Sequence, residues 1–296
     1  MSQHYAGIYP ILYAFFNADG DLDRGAMRLQ VERCLAAGAH GIAVLGLVTE
    51  VNKLSLAERQ QVVAWAAEDI GGKVPLAVTV AEPSVRAQQE FVKFAEDHGA
   101  DWVILQPPPV KGAPEAEYIR FFGAVAAAAK IPVAIQNNPV NLDVWLSNDS
   151  LIALRKSHAN ITLLKGEGPA VHVASLIAAA GDVFDIFTGR GGLEFMSSLR
   201  SGCRGLIPAP DVLDLQVKLF NAFERGDADE AEALHRQCLP EIVFMSQSVP
   251  LMLCYGKRLM ARRLGISAVH SRGPDLGPTT FGLAEIESFY AQLGPL

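Results

Sequence analysis

The octet Ile161-Thr162-Leu163-Leu164-Lys165-Gly166-Glu167-Gly168 is a short apolar run that ends on a charge. Its first four residues, β-branched or aliphatic, predict a buried strand with Lys165 at its end. The glycines on both sides of Glu167 predict a turn into a helix beginning near Pro169. A cation at the mouth of an apolar strand is costly unless it is exposed, paired or neutral. Two readings of Lys165 follow. In one, the aliphatic stem lies along apolar surface and the ammonium reaches water. In the other, burial favours the uncharged amine, which can attack a ketone to form a Schiff base.

Seven further apolar runs flank this one. They begin near Ile8 (IYPILYAFF), Gly41 (GIAVLG), Val74 (VPLAVTV), Asp101 (DWVILQ) and Ile131 (IPVAIQN) on one side. Near Val183 (VFDIFTG) and Gly205 (GLIPA) they begin on the other. A spacing of roughly 20 to 35 residues is the length of one βα unit. Runs without polar alternation suit parallel strands buried on both faces.

The segments between them carry helical signals, predicted over 25–37, 84–98, 115–129, 148–157, 169–180, 192–201 and 212–225. Another helix opens at Ser55-Leu56-Ala57-Glu58, which has the form of a capping box, and runs to about Ile70. Gly38, Gly99 and Gly202 are expected helix stops, and Pro75 and Pro132 stand where strands start.

Eight such units in one series predict an α/β fold, a (β/α)8 TIM barrel over residues 1–225. A doubly wound open sheet would need a Gly-x-Gly-x-x-Gly opening after its first strand, and none is present. Residues 226–296 carry no strand signal. They predict a C-terminal three-helix extension over 227–245, 249–264 and 282–293, with a loop rich in Gly and Pro at 265–280.

Of the 296 residues half are hydrophobic, and the formal net charge is −7. No Lys/Arg run exceeds two, which argues against nucleic acid or an anionic membrane as partner. No apolar stretch approaches the roughly 20 residues that span a bilayer, and the start MSQHYAGIYP has no leader-like pattern. The four cysteines are scattered and without a CxxC pair, as expected of reduced thiols in a cytoplasmic protein.

Barrel enzymes place their chemistry at the C-terminal ends of the strands. Lys165 is the only lysine at such an end. Arg190, between Gly189 and Gly191, could bind a carboxylate bidentately or be a surface arginine in a turn. Glu50 and Glu167 could act as acid or base, or be salt-bridged into the rim. None of the seven histidines lies at a strand end, and no His/Asp cluster has metal spacing, which argues against a metal-dependent aldolase. There is no Gly-x-Ser-x-Gly elbow for acyl transfer.

Several local patterns carry a family resemblance. They are Ala18-Asp19-Gly20-Asp21-Leu22-Asp23 after the first strand, Ala37-Gly38-Ala39-His40-Gly41-Ile42, and Leu45-Gly46-x-x-x-Glu50 followed by Leu54-Ser55-x-x-Glu58-Arg59. His98-Gly99-Ala100-Asp101, Asn137-x-Pro139 and Lys165 complete them. Over residues 7 to about 225 the chain resembles the dihydrodipicolinate synthase / N-acetylneuraminate lyase family of class I, Schiff-base-forming lyases. Ile135-Gln136-Asn137-x-Pro139, Lys165-x-Glu167-Gly168-Pro169 and Gly189-x-Gly191-Gly192 are similar to its 2-keto-3-deoxy-L-arabinonate dehydratase-like members. So are Leu239-Pro240 and Gly256-Lys257-x-x-Met260-x-x-Arg263 in the tail.

The resemblance implies a barrel with a helical extension, a homo-oligomer (tetramer or dimer), no cofactor, and an imine between Lys165 and a small 2-keto acid. Three features depart from the family pattern. Leu47 and Val48 stand where two hydroxyl residues hold the substrate carboxylate, with a threonine only at Thr49. Gln136 stands where a tyrosine relays protons, and Pro108 and Pro109 replace an aromatic pair. These departures count against dihydrodipicolinate synthase and sialic acid lyase activity.

The expected function is dehydration of a short 2-keto-3-deoxy sugar acid. Lys165, Gln136 and Glu167 are the expected catalytic residues; Thr49, Asn138, Gly189 and Arg190 are expected to bind substrate. A pyruvate-releasing aldolase and a non-catalytic metabolite-binding barrel are the alternatives.

Overall fold

The computed structural model describes residues 4–110 and 112–296; residues 1–3, the start of the expected barrel segment, lie outside the described residues. Eight parallel strands alternate with helices. The first half runs β1 Gly7–Ile8, α1 Arg24–Ala36, β2 Ile42–Val44, α2 Leu56–Ile70, β3 Leu76–Val80, α3 Val85–Asp97, β4 Trp102–Leu105 and α4 Glu115–Ala126. The second half runs β5 Val133–Asn137, a single turn α5 Pro139–Leu142, α6 Asn148–Ser157, β6 Ile161–Gly166, α7 Ala170–Ala180, β7 Asp185–Thr188, α8 Phe195–Arg200, β8 Gly205–Leu206 and α9 Leu213–Glu224.

The strands pair in the order β1-β8-β7-β6-β5-β4-β3-β2. Just beyond β1 the circle closes: Leu12 N–H donates to Ala43 C=O at 3.0 Å, and Ala43 N–H to Pro10 C=O at 2.9 Å. The fold is a (β/α)8 TIM barrel, followed by helices alone: α10 Ala228–Met245, a short turn α11 Val249–Leu251, α12 Lys257–Leu264 and α13 Thr280–Leu293. Among the described residues no single helix is long and apolar enough to cross a membrane.

Several bounds differ from the sequence expectation, each for a local reason. The first strand is short because neither Pro10 nor Pro208 has an N–H to give to a ladder. Single bonds such as Ile11 N–H to Pro208 C=O at 2.7 Å carry on past it, and the Ile11–Ala43 bridge follows. The helix expected from 192 starts at Phe195, because Arg190–Gly192 forms a separate 3-10 turn with Gly191 and Gly192 at positive φ. The helix expected over 249–264 widens into a π-type stretch at Met252–Gly256 between α11 and α12. The last helix starts two residues early, where the Thr279 side chain accepts from Gly282 N–H.

The expected glycine stops hold. Gly38, Gly99 and Gly202 have φ of 84°, 89° and 100°, a region that only glycine enters freely.

Every strand residue but Thr162 is buried, as a sheet wrapped by helices requires. The N-terminal end of the barrel is plugged by aromatic rings. Tyr9 meets Phe187 at 5.4 Å and Trp102 at 5.5 Å between centroids, and Trp102 meets Phe187 at 5.7 Å. Only the opposite end is left for a cavity.

The extension is tied to the barrel at α2. Ser55 and Glu58 form the expected capping box, with Ser55 N–H donating to Glu58 Oε2 at 2.8 Å. The same carboxylate takes Arg272 from the 265–280 loop, at 2.7 and 3.0 Å. Hydrogen bonding from Arg272 is the main reason the Glu58 carboxyl is held down, to about 2.

A depressed carboxylate stabilises the folded form above its unfolded value and loses that contribution as pH falls through the folded one. Acidification from about pH 4.3 to about 2 is therefore expected to free the 265–280 loop. Glu58→Gln should free it already at neutral pH. Limited proteolysis checks both, with cleavage rising inside that loop.

Candidate active site

β5 and β6 set the floor. Their register pairs Gln136 with Lys165 and Asn137 with Gly166, while Lys165 pairs with Phe187 on β7. In a parallel sheet registered neighbours point to the same face, so Gln136, Lys165 and Phe187 all point into the barrel. Glu167 leaves the strand, and its N–H still donates to Asn137 C=O at 2.9 Å, which fixes the carboxylate above the lysine.

The Asn137-x-Pro139 motif has a local cause for each residue. Asn137 turns outward and exchanges two 2.9 Å hydrogen bonds with the Leu146 backbone, pinning the loop before α6. Asn138 caps α5, its Oδ1 accepting from Asn141 N–H at 3.1 Å, with Pro139 at the first helical position, as cap and proline preferences dictate. Capping leaves the Asn138 amide N–H₂ aimed at Glu167.

Glu167 Oε2 is thus crowded with donors. Gln136 Nε2 and Asn138 Nδ2 each donate to it at 2.7 Å, and Lys165 Nζ stands 3.5 Å away. Lys165 is 5% and Glu167 7% exposed. Unpaired, either would carry a large desolvation cost; together they form a buried ion pair whose carboxylate is further solvated by amides.

The amides are themselves held. Gln106 Nε2 donates to Gln136 Oε1 at 3.0 Å, which turns the Gln136 N–H₂ toward Glu167. Glu167 Oε1 has no donor among the described residues and lies against Gly189, where a Cβ would overlap it. Of the two oxygens, Oε1 is therefore the one free to take a proton.

Lys165 and Glu167 open on a cavity of about 160 Å3. Leu47, Val48, Val140 and Ile207 give it apolar walls; Asn141 and Arg190 stand on its polar side. Its outer wall, Ser246 to Val249 and Met252, comes from the extension.

The structure gathers Lys165, Glu167, Gln136 and Asn138 into one network and sets Arg190 on the cavity wall. Arg190 has φ 53°, left-handed for a non-glycine, and one Nη donates to Glu194 at 2.9 Å. Gly189 contributes space for Glu167. Thr49 is drawn away, its hydroxyl donating to Leu12 C=O at 2.7 Å, and it does not line the cavity.

Glu50 also faces elsewhere. It is ion-paired with Lys53 at 2.7 Å and with Lys257, beside a separate cavity of about 220 Å3. Sequence reasoning gave no role to Gln106 or to Ser246–Met252. The polar trio Ser246-Gln247-Ser248 before Pro250 was the available signal for the latter. Among the described residues no group of three or more His, Cys, Asp or Glu could hold a metal.

Gly189→Ala is expected to push the Glu167 carboxylate from its seat while leaving the chain folded. Displacement of a reacting group by about 1 Å costs about a hundredfold in rate, so kcat should fall by that order at little change in thermal midpoint. A variant with native kcat would show that Glu167 does not need this seat.

Comparison with known proteins gives the family. The dihydrodipicolinate synthetase family model matches residues 4–275. The L-2-keto-3-deoxyarabonate dehydratase of Azospirillum brasilense is 26% identical over 301 residues, covering 99% of this chain and 96% of that protein. The putative 2-dehydro-3-deoxy-D-gluconate aldolase YagE of Escherichia coli K12 is 27% identical over 240 residues, covering 79% and 80%. A crystal structure of a putative dihydrodipicolinate synthetase from Pseudomonas aeruginosa superposes with a TM-score of 0.90 at 26% identity, over 98% of this chain and all of that one. The chain belongs to the dihydrodipicolinate synthetase family of class I lyases.

Proposed function

We propose that this lyase dehydrates a short 2-keto-3-deoxy sugar acid through a Schiff base on Lys165. The observation that carries the reading is a buried amine and a buried carboxylate 3.5 Å apart on the wall of one cavity. Lys165 first passes a proton to Glu167 and, as the neutral amine, attacks the C2 carbonyl. The same proton then leaves with the carbinolamine hydroxyl as water, giving the protonated imine and restoring the Glu167 carboxylate. The protonated imine draws electrons from C3, so Glu167 Oε1 can remove a C3 proton. The resulting enamine expels the C4 hydroxyl, which leaves as water once protonated. Hydrolysis of the imine then frees Lys165 and the unsaturated keto acid, which tautomerises.

Gln136 and Asn138 keep Glu167 oriented and disperse its charge, but an amide does not relay protons. The substrate carboxylate falls to Arg190, which keeps N–H groups beyond the one given to Glu194. The backbone N–H groups of Leu47 and Val48 can assist. They open the turn Leu47–Thr49 and so have no acceptor within it.

A relative that matches nearly the whole chain is named a dehydratase, which supports loss of water over cleavage. A relative named as a putative aldolase supports a second reading, in which a base on the C4 hydroxyl drives retro-aldol release of pyruvate. We also assign the chain to a cytoplasmic homo-oligomer, dimer or tetramer. Exposed Val140, Trp145 and Val171 offer apolar surface for subunit contact.

Borohydride reduction in the presence of pyruvate is expected to leave one covalent adduct, on Lys165, and none in Lys165→Ala. Mass spectrometry of the peptides reads it. If pyruvate and a panel of longer 2-keto acids all leave Lys165 unmodified, the Schiff-base reading is wrong. With five- and six-carbon 2-keto-3-deoxy acids the dehydratase gives a keto acid lighter by one water, whereas the aldolase gives free pyruvate.

A further inference from the structure

Dehydration needs a base for the C3 proton and an acid for the departing hydroxyl. Glu167 Oε1 serves the first need, and Gln136 cannot serve the second. A second buried polar cluster lies behind the cavity wall, where β8 meets the extension. Asp211 and Glu241 are 4% and 3% exposed. The Tyr13 hydroxyl donates to Asp211 Oδ2 at 3.0 Å, while Asp211 Oδ1 and Glu241 Oε1 have no hydrogen-bond partner among the described residues.

Both side chains line a small space of about 10 Å3, room for about one water. Gly191, Ala209, Ser246 and Met252 line this space and the Lys165 cavity alike. Ser246 is the one of these four whose side chain can carry a proton.

Two carboxyls buried side by side do not both ionise at neutral pH. Burial, then the charge of Asp211, pushes the Glu241 carboxyl well above its usual value, with Arg263 opposing. Burial likewise raises Asp211 against the Tyr13 hydrogen bond and Arg263. Of the thiols nearby, Cys34 feels the charge of Asp211 and Cys238 that of Glu241. The cation that acts on both carboxyls is Arg263 on α12, itself bound to Asp214 at 3.0 Å. One proton therefore stays on the pair at neutral pH.

We propose that Asp211 and Glu241 hold a shared proton and deliver it, through one water and the Ser246 hydroxyl, to the C4 hydroxyl as it leaves. The pair protonates the water, the water passes a proton to Ser246 Oγ, and Ser246 gives its own to the departing oxygen. The C4–O bond breaks, water departs, and Glu167 keeps the C3 proton. Exchange with solvent then discharges Glu167 and recharges the pair, so the net change is loss of one water. Since the shared proton is lost as pH rises, dehydration should slow on the alkaline side.

The proposal rests on the Schiff-base reading, and the test separates the two. Glu241→Gln keeps the shape but cannot pass the proton on; Ser246→Ala cuts the path at the cavity. Three readouts are compared with the wild type: the borohydride-trapped pyruvate adduct on Lys165, exchange of pyruvate methyl protons with D2O by NMR, and dehydration of 2-keto-3-deoxy-L-arabinonate and its six-carbon homologue. Both variants should trap and exchange pyruvate as the wild type does. Their dehydration kcat should fall about a hundredfold, within the range for general acid catalysis, at similar KM. Glu241→Gln should also lose the alkaline decline.

Native dehydration kcat in both folded variants overturns the proposal, as does equal loss of exchange and dehydration, which marks a structural role. Should Glu241→Gln fail to fold, Ser246→Ala decides by the same criteria. A wild type that forms no pyruvate adduct overturns the Schiff-base reading itself.

Discussion

The site depends on one carboxylate being held still, with polar partners, inside a barrel that would otherwise expel it. Glu167 Oε2 takes two short amide hydrogen bonds and the nearby Lys165 ammonium. These donors do for the carboxylate what water does at a surface, and they leave Oε1 unengaged. The rest of the local structure serves that arrangement. Gln106 orients Gln136, the cap at α5 orients Asn138, and the bare backbone at Gly189 gives Oε1 its room. A tyrosine at 136 would offer a hydroxyl in place of this amide chain. The glutamine sets an amide donor against the carboxylate instead.

The second-strand loop follows the same logic with opposite polarity. Leu47 and Val48 face the cavity while Thr49 turns its hydroxyl onto Leu12. Leu45 and Glu50, at φ 63° and 56°, lie in the left-handed region on either side of the Gly46–Thr49 segment. Such backbone is retained only where its surroundings over-determine it, and here Glu50 is held by Lys53 and Lys257. Ion pairs on the far face of the loop and the Thr49–Leu12 hydrogen bond thus both hold its shape.

Much of the barrel was legible in the sequence because its signals are local. Apolar runs, capping residues and helix-stopping glycines each specify backbone within a few positions, and Lys165 was placed by counting strands. Gln136, Asn138 and Glu167 lie within two residues of strand ends, so the barrel rule reaches them as well. The rest depends on contacts between distant segments. Thr49 resembled a carboxylate ligand until Leu12, 37 residues earlier, claimed its hydroxyl. Glu50 looked like an acid or base, and its partner Lys257 is 207 residues away. The pairing of Asp211 with Tyr13, 198 residues apart, has no periodicity to announce it.

The outer wall at Ser246–Met252 carries a consequence for how the protein is made. On a ribosome, all eight strands and Lys165 are synthesised before the segment that walls off the cavity. Until that segment arrives, Lys165 and Glu167 would sit at an open barrel mouth flooded with water. Glu50 would also lack the Lys257 ammonium that steadies its loop. A chain stopped after its last strand could thus own every expected catalytic residue and still not be an enzyme. The cavity is completed by the part of the chain that makes no strand at all.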